Sequence, residues 1–308
     1  MRGGGESAGA GLGVGDRVGR YRIDARLGEG AAGVVFRAVR EPGGLVVALK
    51  VLRPELSDDA VYRHRFAHEA RAAAEVEHRH LVRVIESGEA DGHSFLVVEY
   101  VAGRTLAARL DAEGGLPADD ILRLAAEVGA GLDALHGAGL VHRDVKPSNI
   151  MLGRDGAAML ADFGLAKGRA YTVLTRPGAV VGTLDYLAPE IIRGAPAAPP
   201  SDIYALGCVI FECMAGVPPF AGRSVIQVGL AHLQDEPPDP GADRDDLPPM
   251  LGWAVRRALA KDPNRRPPAP SPTCCAWRPT SRATSSPATL AAPPLVDAEG
   301  ARPGGRTR

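Results

Sequence analysis

A short polar segment, His142-Arg143-Asp144-Val145-Lys146-Pro147-Ser148-Asn149, contains side chains suited to three parts of one reaction. The carboxylate of Asp144 can accept a proton from a hydroxyl group, and the ammonium of Lys146 can neutralise a phosphate. The amide oxygen of Asn149 can ligate Mg²⁺. A polar turn after a strand is the alternative interpretation, but eight residues of this identity seldom occur together by chance. The segment predicts phosphoryl transfer to a hydroxyl.

A second oxygen ligand follows at a fixed distance. Asp162 begins the triplet Asp162-Phe163-Gly164, 18 residues after Asp144. An apolar run at 157–161 precedes it, and a turn-forming Gly-Arg-Asp-Gly sequence separates the two motifs. The triplet alone carries little information, but at this spacing the Asp162 carboxylate is a candidate ligand for the same Mg²⁺.

A glycine-rich segment lies between two predicted strands nearer the N-terminus. Glycines at this spacing let the backbone close over phosphates, although an ordinary glycine-rich hairpin has the same pattern. A dinucleotide-binding turn requires a helix after the glycines, whereas Val34, Val35 and Phe36 continue as a strand. The candidate phosphate-covering residues are Leu27, Gly28, Glu29, Gly30, Ala31, Ala32, Gly33, Val34 and Val35.

Lys50 ends the apolar strand sequence Val47-Ala48-Leu49-Lys50. An ammonium group in an apolar strand needs a partner, because burying an unpaired charge is costly. Phosphate oxygens and a carboxylate on the next helix are suitable partners. Glu69 lies on that helix, 19 residues after Lys50, and Glu75 is the competing candidate. A solvated lysine on a strand is the alternative.

A further group of motifs is informative only through its order. Gly182-Thr183 precedes Ala188-Pro189-Glu190, and Asp202 follows. Taken singly, these are an ordinary turn, helix start and N-terminal cap, and Pro189 and Glu190 do suit the first turn of a helix.

The elements that position these residues divide the chain into two parts. Short β-branched runs and one helix at 59–76 fill the first part, and helices at 118–136, 201–216 and 247–260 dominate the second. The predicted domain limits are 1–17 for a flexible lead, 18–101 and 102–268 for two lobes, and 269–308 for a disordered tail rich in Pro, Ser, Thr and Ala.

The composition sets bounds on the partners. The formal net charge of the 308 residues is −1, which gives no support to nucleic acid or an anionic membrane as the main partner. The four cysteines form no CxxC pair, and the sequence contains neither a signal-peptide pattern nor an apolar run long enough to cross a bilayer. We expect a cytoplasmic protein without membrane insertion or nucleic-acid binding.

Taken together and in this order, the motifs from Tyr21 to about Arg266 resemble the protein kinase family, most closely the eukaryotic-like serine/threonine kinases of bacteria. The resemblance implies an α+β, two-lobed fold. The small N-terminal lobe is expected to hold an antiparallel sheet with one helix, and the larger C-terminal lobe to be mainly helical. It also implies Mg-ATP as the phosphate donor and protein serine or threonine hydroxyls as acceptors.

The resemblance assigns roles to individual residues. It implies that Asp144 is the catalytic base, that Lys146 contacts the γ-phosphate, and that Lys50 contacts the α- and β-phosphates while Glu69 holds it. Asn149 and Asp162 are the implied Mg²⁺ ligands. His142 and Phe163 are expected to be packing residues, and Glu190 and Arg266 a buried ion pair. The adenine pocket is implied to consist of Val35, Ala48, Met151, Val98 at its rear, and the backbones of Glu99 and Val101.

One difference from the family and one regulatory hypothesis complete the predictions. After Arg266 the sequence is interrupted by prolines where an amphipathic closing helix is expected, which suggests a truncated C-terminal helix. A catalytically impaired pseudokinase is therefore the alternative function, and a small-molecule phosphotransferase of similar fold is a second.

The segment between Asp162 and Glu190 contains Thr172, Thr175 and Thr183, and phosphate on Thr175 is expected to pair with Arg143. A transient homodimer would support autophosphorylation.

Overall fold

A six-stranded antiparallel sheet forms the N-terminal part of the structure, a computed structural model that describes residues 11–30, 32–162, 184–242 and 244–270. The strand order across the sheet is β1-β2-β3-β4-β6-β5. The strands are β1 (Arg17–Val18), β2 (Tyr21–Gly30), β3 (Gly33–Arg40), β4 (Leu45–Leu52), β5 (Val84–Ala90) and β6 (His93–Glu99).

Alternation along β4 determines what each face of the sheet does. Val47 and Leu49 are fully buried in an apolar cluster with Val51. Because successive side chains of a strand point to opposite faces, Ala48 and Lys50 lie on the other face. That second face looks toward the helical part of the chain.

Two helices follow β4. The one-turn helix α1 (Pro54–Ser57) leads into α2 (Ala60–Ala74), whose first turn is capped by the Asp59 carboxylate, accepting from two backbone N–H groups. The buried side of α2 consists of Tyr62, Phe66, Ala70 and Ala73, as the spacing of these residues predicts. Helix α2 packs on β5 and thus covers the edge of the sheet.

The C-terminal part is mainly helical, with one small antiparallel sheet at its junction with the N-terminal part. That sheet has the order β7 (Gly103–Thr105), β8 (Ile150–Gly153), β9 (Ala158–Leu160). The sequence patterns predicted no helix at Leu106–Glu113 or at Val225–Gln234. The helices are α3 (Leu106–Glu113), α4 (Ala118–Gly137), α5 (Pro189–Ile192), α6 (Pro199–Ala215), α7 (Val225–Gln234) and α8 (Pro249–Ala258).

Helices α4 and α6 form the centre of this part. The buried face of α4 includes Ile121, Leu124, Ala125, Val128, Leu132 and Leu135, which is the face that its 3.6-residue period predicts. Helix α6 is buried on nearly all sides. It approaches α8 closely at Gly207, where a Cβ atom would lie 2.9 Å from Ala258 Cβ.

The architecture confirms the predicted α+β fold with a small sheet lobe and a larger helical lobe. None of the helices in the described ranges is both long enough and apolar enough to span a bilayer. The predicted limits of the lead, the lobes and the tail remain predictions. The tail beyond residue 270 lies outside the described residues.

Candidate active site

The sheet face that carries Lys50 forms the upper wall of a cleft between the lobes. Val35 on β3 lies directly opposite Lys50 on β4, and Ala48 lies opposite Val98 on β6. Directly opposed residues in an antiparallel pair share a face, so these four side chains point the same way. The structure therefore brings together three of the residues predicted to contact adenine. A fourth, Met151, lies on β8 in the lower lobe.

The chain leaves the upper lobe through β6. The N–H group of Glu99 donates to the Arg83 carbonyl oxygen at 2.9 Å, so this N–H group is already occupied. Val101 follows in an irregular segment and is half-buried.

The glycine-rich segment forms the hairpin between β2 and β3, with Gly30 opposite Gly33. At Gly33 a Cβ atom would lie 1.9 Å from the Val51 carbonyl oxygen, so only glycine fits. At Gly28 and Gly30 a Cβ atom would have no neighbour within 4 Å among the residues that the structure describes. These two positions leave open space above the cleft, which a bound phosphate could use.

The remaining residues of the hairpin have structural contacts. Glu29 pairs with Arg53 at 2.6 Å and also with Arg26. Leu27 is 47% exposed, and the partly buried Val34 and Ala32 pack on the two apolar clusters beneath. Glu29 thus stabilises the hairpin from outside, while the predicted contact of Ala31 with phosphate falls on a position outside the described residues.

The loop before β8 brings together Asp144 and Lys146, which are predicted to be catalytic, and Asn149, which is a predicted Mg²⁺ ligand. Lys146 Nζ lies 3.1 Å from Asp144 Oδ2. Asn149 Nδ2 donates to the backbone oxygen of Asp144 at 2.8 Å and to its Oδ2 at 3.0 Å. Since both amide hydrogens of Asn149 are directed at Asp144, its carbonyl oxygen points away from that residue. The Asp144 carboxylate is held by two donors in a fixed orientation.

A buried carboxylate beneath this loop fixes its backbone. Asp202, in the first turn of α6, is 1% exposed and accepts from the N–H groups of His142 and Arg143 at 2.8 Å each. His136 Nε2 lies 2.8 Å from the same carboxylate. Arg143 has φ 67°, in the left-handed region that disfavours residues other than glycine. The hydrogen bonds to Asp202 hold the chain in this conformation.

His142 is a packing residue, as predicted. It is 1% exposed, and its Nε2 lies 3.1 Å from the Ala161 carbonyl oxygen. Burial lowers the pKa of its imidazole, because desolvation disfavours the charged form. The side chain links the loop that carries Asp144 to the segment that leads to Asp162.

The ion pairs across the cleft differ from the prediction. Lys50 pairs with Asp162 rather than with Glu69. Glu69 instead accepts from Arg143, with 2.8 Å between NH1 and Oε1. The predicted Lys50–Glu69 pair is therefore wrong for this structure. The physical reason is competition, since two cations and two carboxylates meet at the cleft and each carboxylate binds the cation that packing brings nearest.

The oxygen atoms at the base of the cleft fit a Mg-nucleotide. The Asn149 amide oxygen and the Asp162 carboxylate are hard oxygen ligands of the kind that Mg²⁺ prefers. The backbone carbonyl oxygen of Asn149 accepts from the backbone N–H group of Ala161 at 2.8 Å. This hydrogen bond fixes the two segments that carry the predicted ligands side by side. In the described ranges no cluster of three or more His, Cys, Asp or Glu side chains could enclose a metal ion. A site with so few protein ligands suits an ion that shares its remaining positions with phosphates and water.

The predicted ion pair of Glu190 with Arg266 is present and bidentate. Arg266 NH1 and NH2 lie 2.7 Å and 2.8 Å from the two oxygens of Glu190, and Ser201 Oγ donates to the same carboxylate at 2.8 Å. The Arg266 side chain is fully buried. This pair joins α5 to the chain after α8.

Several predicted residues fall outside the described ranges: Phe163, Gly164, Thr172, Thr175, Gly182 and Thr183. Sequence reasoning missed one positioning residue, His136, and it named Asp202 as a motif residue without its positioning role. A charged residue in an otherwise apolar helix is the pattern that could have identified Asp202.

Comparison with known proteins agrees with this geometry. The protein kinase domain family matches residues 21–277. The serine/threonine-protein kinase PknD of Mycobacterium tuberculosis is 38% identical over 254 residues, which are 82% of this chain and 38% of PknD. The serine/threonine-protein kinase PknA of Corynebacterium glutamicum is 39% identical over 252 residues, which are 80% of this chain and 53% of that protein.

Solved structures show the same similarity. A crystal structure of the PknI kinase domain of M. tuberculosis superposes with a TM-score of 0.70 and 31% identity, covering 87% of this chain and 98% of that one. The chain spans only 38% of PknD and 53% of PknA, about two fifths to one half of each. The similarity covers both lobes and the cleft between them.

Proposed function

This chain belongs to the protein kinase family, and from that premise we propose that it transfers the γ-phosphate of ATP to serine and threonine hydroxyls of proteins. The observation that carries the proposal is the contact set of Asp144, with Lys146 at 3.1 Å and Asn149 at 3.0 Å from one carboxylate oxygen. A proton acceptor, a phosphate-neutralising cation and a metal ligand are thereby held within one short loop.

The chain's own residues account for the steps of transfer. Lys50 leaves Asp162 to hold the α- and β-phosphates, and the backbone at Gly28 and Gly30 closes over them. Asp144 accepts the proton of the attacking hydroxyl, and Lys146 neutralises charge on the transferred group. Bound Mg-ATP would supply the phosphoryl group, and its Mg²⁺ ion would supply the positive charge that neutralises the phosphates. Asn149 and Asp162 are the residues that would hold the Mg²⁺.

Two other functions are less well supported. A pseudokinase should lack one of the catalytic groups, whereas Lys50, Asp144, Asn149 and Asp162 are all present. A small-molecule phosphotransferase would not be expected to carry the segment from Gly182 to Glu190, which resembles a peptide-docking segment. Protein substrates are therefore the favoured acceptors.

Phosphotransfer with γ-labelled ATP and a generic protein substrate tests the proposal. We expect Asp144→Asn to reduce transfer by about 10²–10⁴-fold, the usual size of a general-base contribution, while nucleotide binding is nearly unchanged. Lys50→Met is expected to lose activity with an unaltered circular-dichroism melt. Unchanged turnover of the purified Asp144→Asn protein would remove the catalytic assignment, and an inactive wild type that still binds ATP would favour the pseudokinase.

We also propose that phosphorylation controls the enzyme. Arg143 is bound to Glu69 in this structure, and a phosphate on Thr175 would compete for that guanidinium through a bidentate pair. Glu69 would then be released to Lys50. Thr172 is a secondary acceptor, and a transient homodimer would allow one copy to phosphorylate another.

Mass spectrometry after incubation with Mg-ATP, beside the Thr175→Ala variant, tests this control. Phosphate on Thr175 and a rise in activity are expected for the wild type. Equal activity of Thr175→Ala and the phosphorylated wild type would remove the switch.

A cytoplasmic location is part of the same proposal, since Cys208 and Cys213 are free thiols, as is usual in reducing compartments.

A further inference from the structure

Helix α7 supports residues 184–187, which lie in the segment that resembles a peptide-docking segment. Val228 on α7 is buried in one apolar cluster with Leu184 and Leu187. A Cβ atom at Gly229 would lie 3.7 Å from Leu184 Cδ2, which is an ordinary packing distance. Because apolar contacts have no preferred direction, they hold α7 against these residues without fixing where along its axis the helix lies.

A buried hydrogen bond joins α7 to α6. Tyr204 on α6 and His232 on α7 are both fully buried, and 2.8 Å separates the Tyr204 hydroxyl oxygen from His232 Nδ1. The two rings meet edge to face with 5.7 Å between centroids, and the Phe220 ring lies 4.9 Å from that of His232. Because a hydrogen bond is directional, this contact restricts the position of α7 more strictly than apolar packing does.

The ring of Tyr204 makes a second connection, to the chain that follows residues 184–187. The Arg266 guanidinium lies 4.9 Å from the centre of this ring. The same guanidinium forms the bidentate pair with Glu190 on α5. Tyr204 is therefore connected through its hydroxyl to the helix that supports residues 184–187, and through its ring to the helix that follows them.

We propose that the hydrogen bond between Tyr204 and His232 positions residues 184–187 for the binding of protein substrates, which makes both side chains positioning residues for the phosphate acceptor. The inference rests on the proposed function, because it concerns the proteins that receive the phosphate. Without the bond, the contact between α6 and α7 loses its directional component, and the residues that α7 supports lose their fixed position. Both side chains are fully buried, so they act through these residues and not by touching a substrate.

The matched variants are Tyr204→Phe and Tyr21→Phe. Phenylalanine at position 204 keeps the ring beside Arg266 and removes only the hydroxyl. Tyr21 is also fully buried, and its hydroxyl donates to Glu86 at 2.7 Å, but it lies on β2 in the N-terminal sheet. Initial rates of phosphate transfer from γ-labelled ATP to dephosphorylated casein give kcat and the KM for each substrate.

We expect Tyr204→Phe to raise the KM for casein about tenfold, the usual effect of leaving one buried hydrogen-bonding group unsatisfied. The kcat and the KM for ATP should keep their wild-type values. Tyr21→Phe should lower the melting temperature as Tyr204→Phe does, but keep all three kinetic values. His232→Phe should act like Tyr204→Phe, and the double variant should raise the KM for casein no further than the larger single effect, because both changes remove the same bond.

The outcomes separate this inference from the proposed function. If Tyr204→Phe melts at a lower temperature but keeps the wild-type KM for casein, its hydroxyl is merely structural, and the inference is refuted while the proposed function stands. If Tyr21→Phe raises the KM for casein as much, or if kcat and both KM values change together, the effect is general and the inference also falls. Additive effects in the double variant would overturn it too, since the two residues would then act separately. If the wild type transfers no phosphate to casein, the proposed function and this inference fall together.

Discussion

At the scale of single residues, one buried carboxylate sets the backbone of the loop that carries Asp144. Asp202 accepts three hydrogen bonds, two of them from consecutive backbone N–H groups, at His142 and Arg143. The left-handed conformation of Arg143 costs about 1–3 kcal/mol, and these hydrogen bonds offset the cost. The orientation of Asp144, the next residue, depends on this anchor.

We predict that Asp202→Asn lowers the free energy of unfolding by about 3 kcal/mol, because hydrogen bonds to a buried charged group are lost. An asparagine also presents an NH₂ group to donors that need an acceptor. Urea denaturation measures the change. Asp246→Asn is the control, since Asp246 is an exposed partner of Arg244, and its midpoint should stay near that of the wild type. Equal midpoints for both variants would contradict the anchoring role.

At the scale of elements, the hairpin between β2 and β3 combines a packing glycine with two glycines in open space. Gly33 lies against the backbone of β4, whereas Gly28 and Gly30 face no other part of the described chain. Glycine therefore serves two purposes in this hairpin, at positions that are three to five residues apart in the sequence. Packing requires the first, and the proposed phosphate contact requires the other two.

Gly33→Ala is expected to destabilise the protein by about 3 kcal/mol, because its Cβ atom would overlap the Val51 carbonyl oxygen and force β3 from β4. Gly30→Ala should melt like the wild type but bind nucleotide more weakly. Thermal unfolding and nucleotide titration on both variants test the contrast. A wild-type melt for Gly33→Ala would show that the strands tolerate the extra methyl group.

At the scale of the whole molecule, two buried titratable groups of opposite effect set the pH dependence of stability. His232 is fully buried, and its Nδ1 lies 2.8 Å from the Tyr204 hydroxyl oxygen. Burial, with a smaller contribution from the charge of Lys261, lowers the pKa of His232 to about 3. Burial raises the pKa of Glu212, which accepts from Tyr186 at 2.6 Å, to about 7.

The two groups affect stability in opposite directions. Below about pH 6.5 the unfolded chain protonates His232 and the folded chain does not, so the stability from this residue is lost as the pH falls toward 3. Glu212 binds its proton more tightly when folded. Its stabilising contribution is present below about pH 4.5 and is lost as the pH rises to 7.

We predict that the unfolding free energy of the wild type relative to His232→Gln falls by about 1.4 kcal/mol per unit as the pH decreases from 6 to 4. The unfolding free energy of the wild type relative to Glu212→Gln should instead rise as the pH decreases over the same range. Urea denaturation at each pH supplies both curves. A difference that does not change with pH for His232→Gln would mean that the imidazole is accessible to protons in the folded state.

The sequence by itself determined the features that depend on local periodicity and short motifs. The buried faces of α2 and α4, the continuation of the glycine-rich segment as a strand and the grouping of Asp144 with Lys146 and Asn149 were all predictable. Each depends on residues within about two turns or one hairpin of each other, so a backbone of regular geometry fixes their relation. The bidentate pair of Glu190 with Arg266 was predictable only through the family resemblance.

Only the tertiary structure decided which charges pair across the cleft. Lys50 and Asp162 are 112 residues apart, and Arg143 and Glu69 are 74 apart. Asp202 contacts residues about 60 positions earlier, and the Tyr62 hydroxyl is left without a partner in the described chain. These outcomes depend on differences of a few ångströms in how α2 and the two lobes pack. Coulombic preference alone does not choose between two carboxylates for one cation, because either pairing satisfies the same charges.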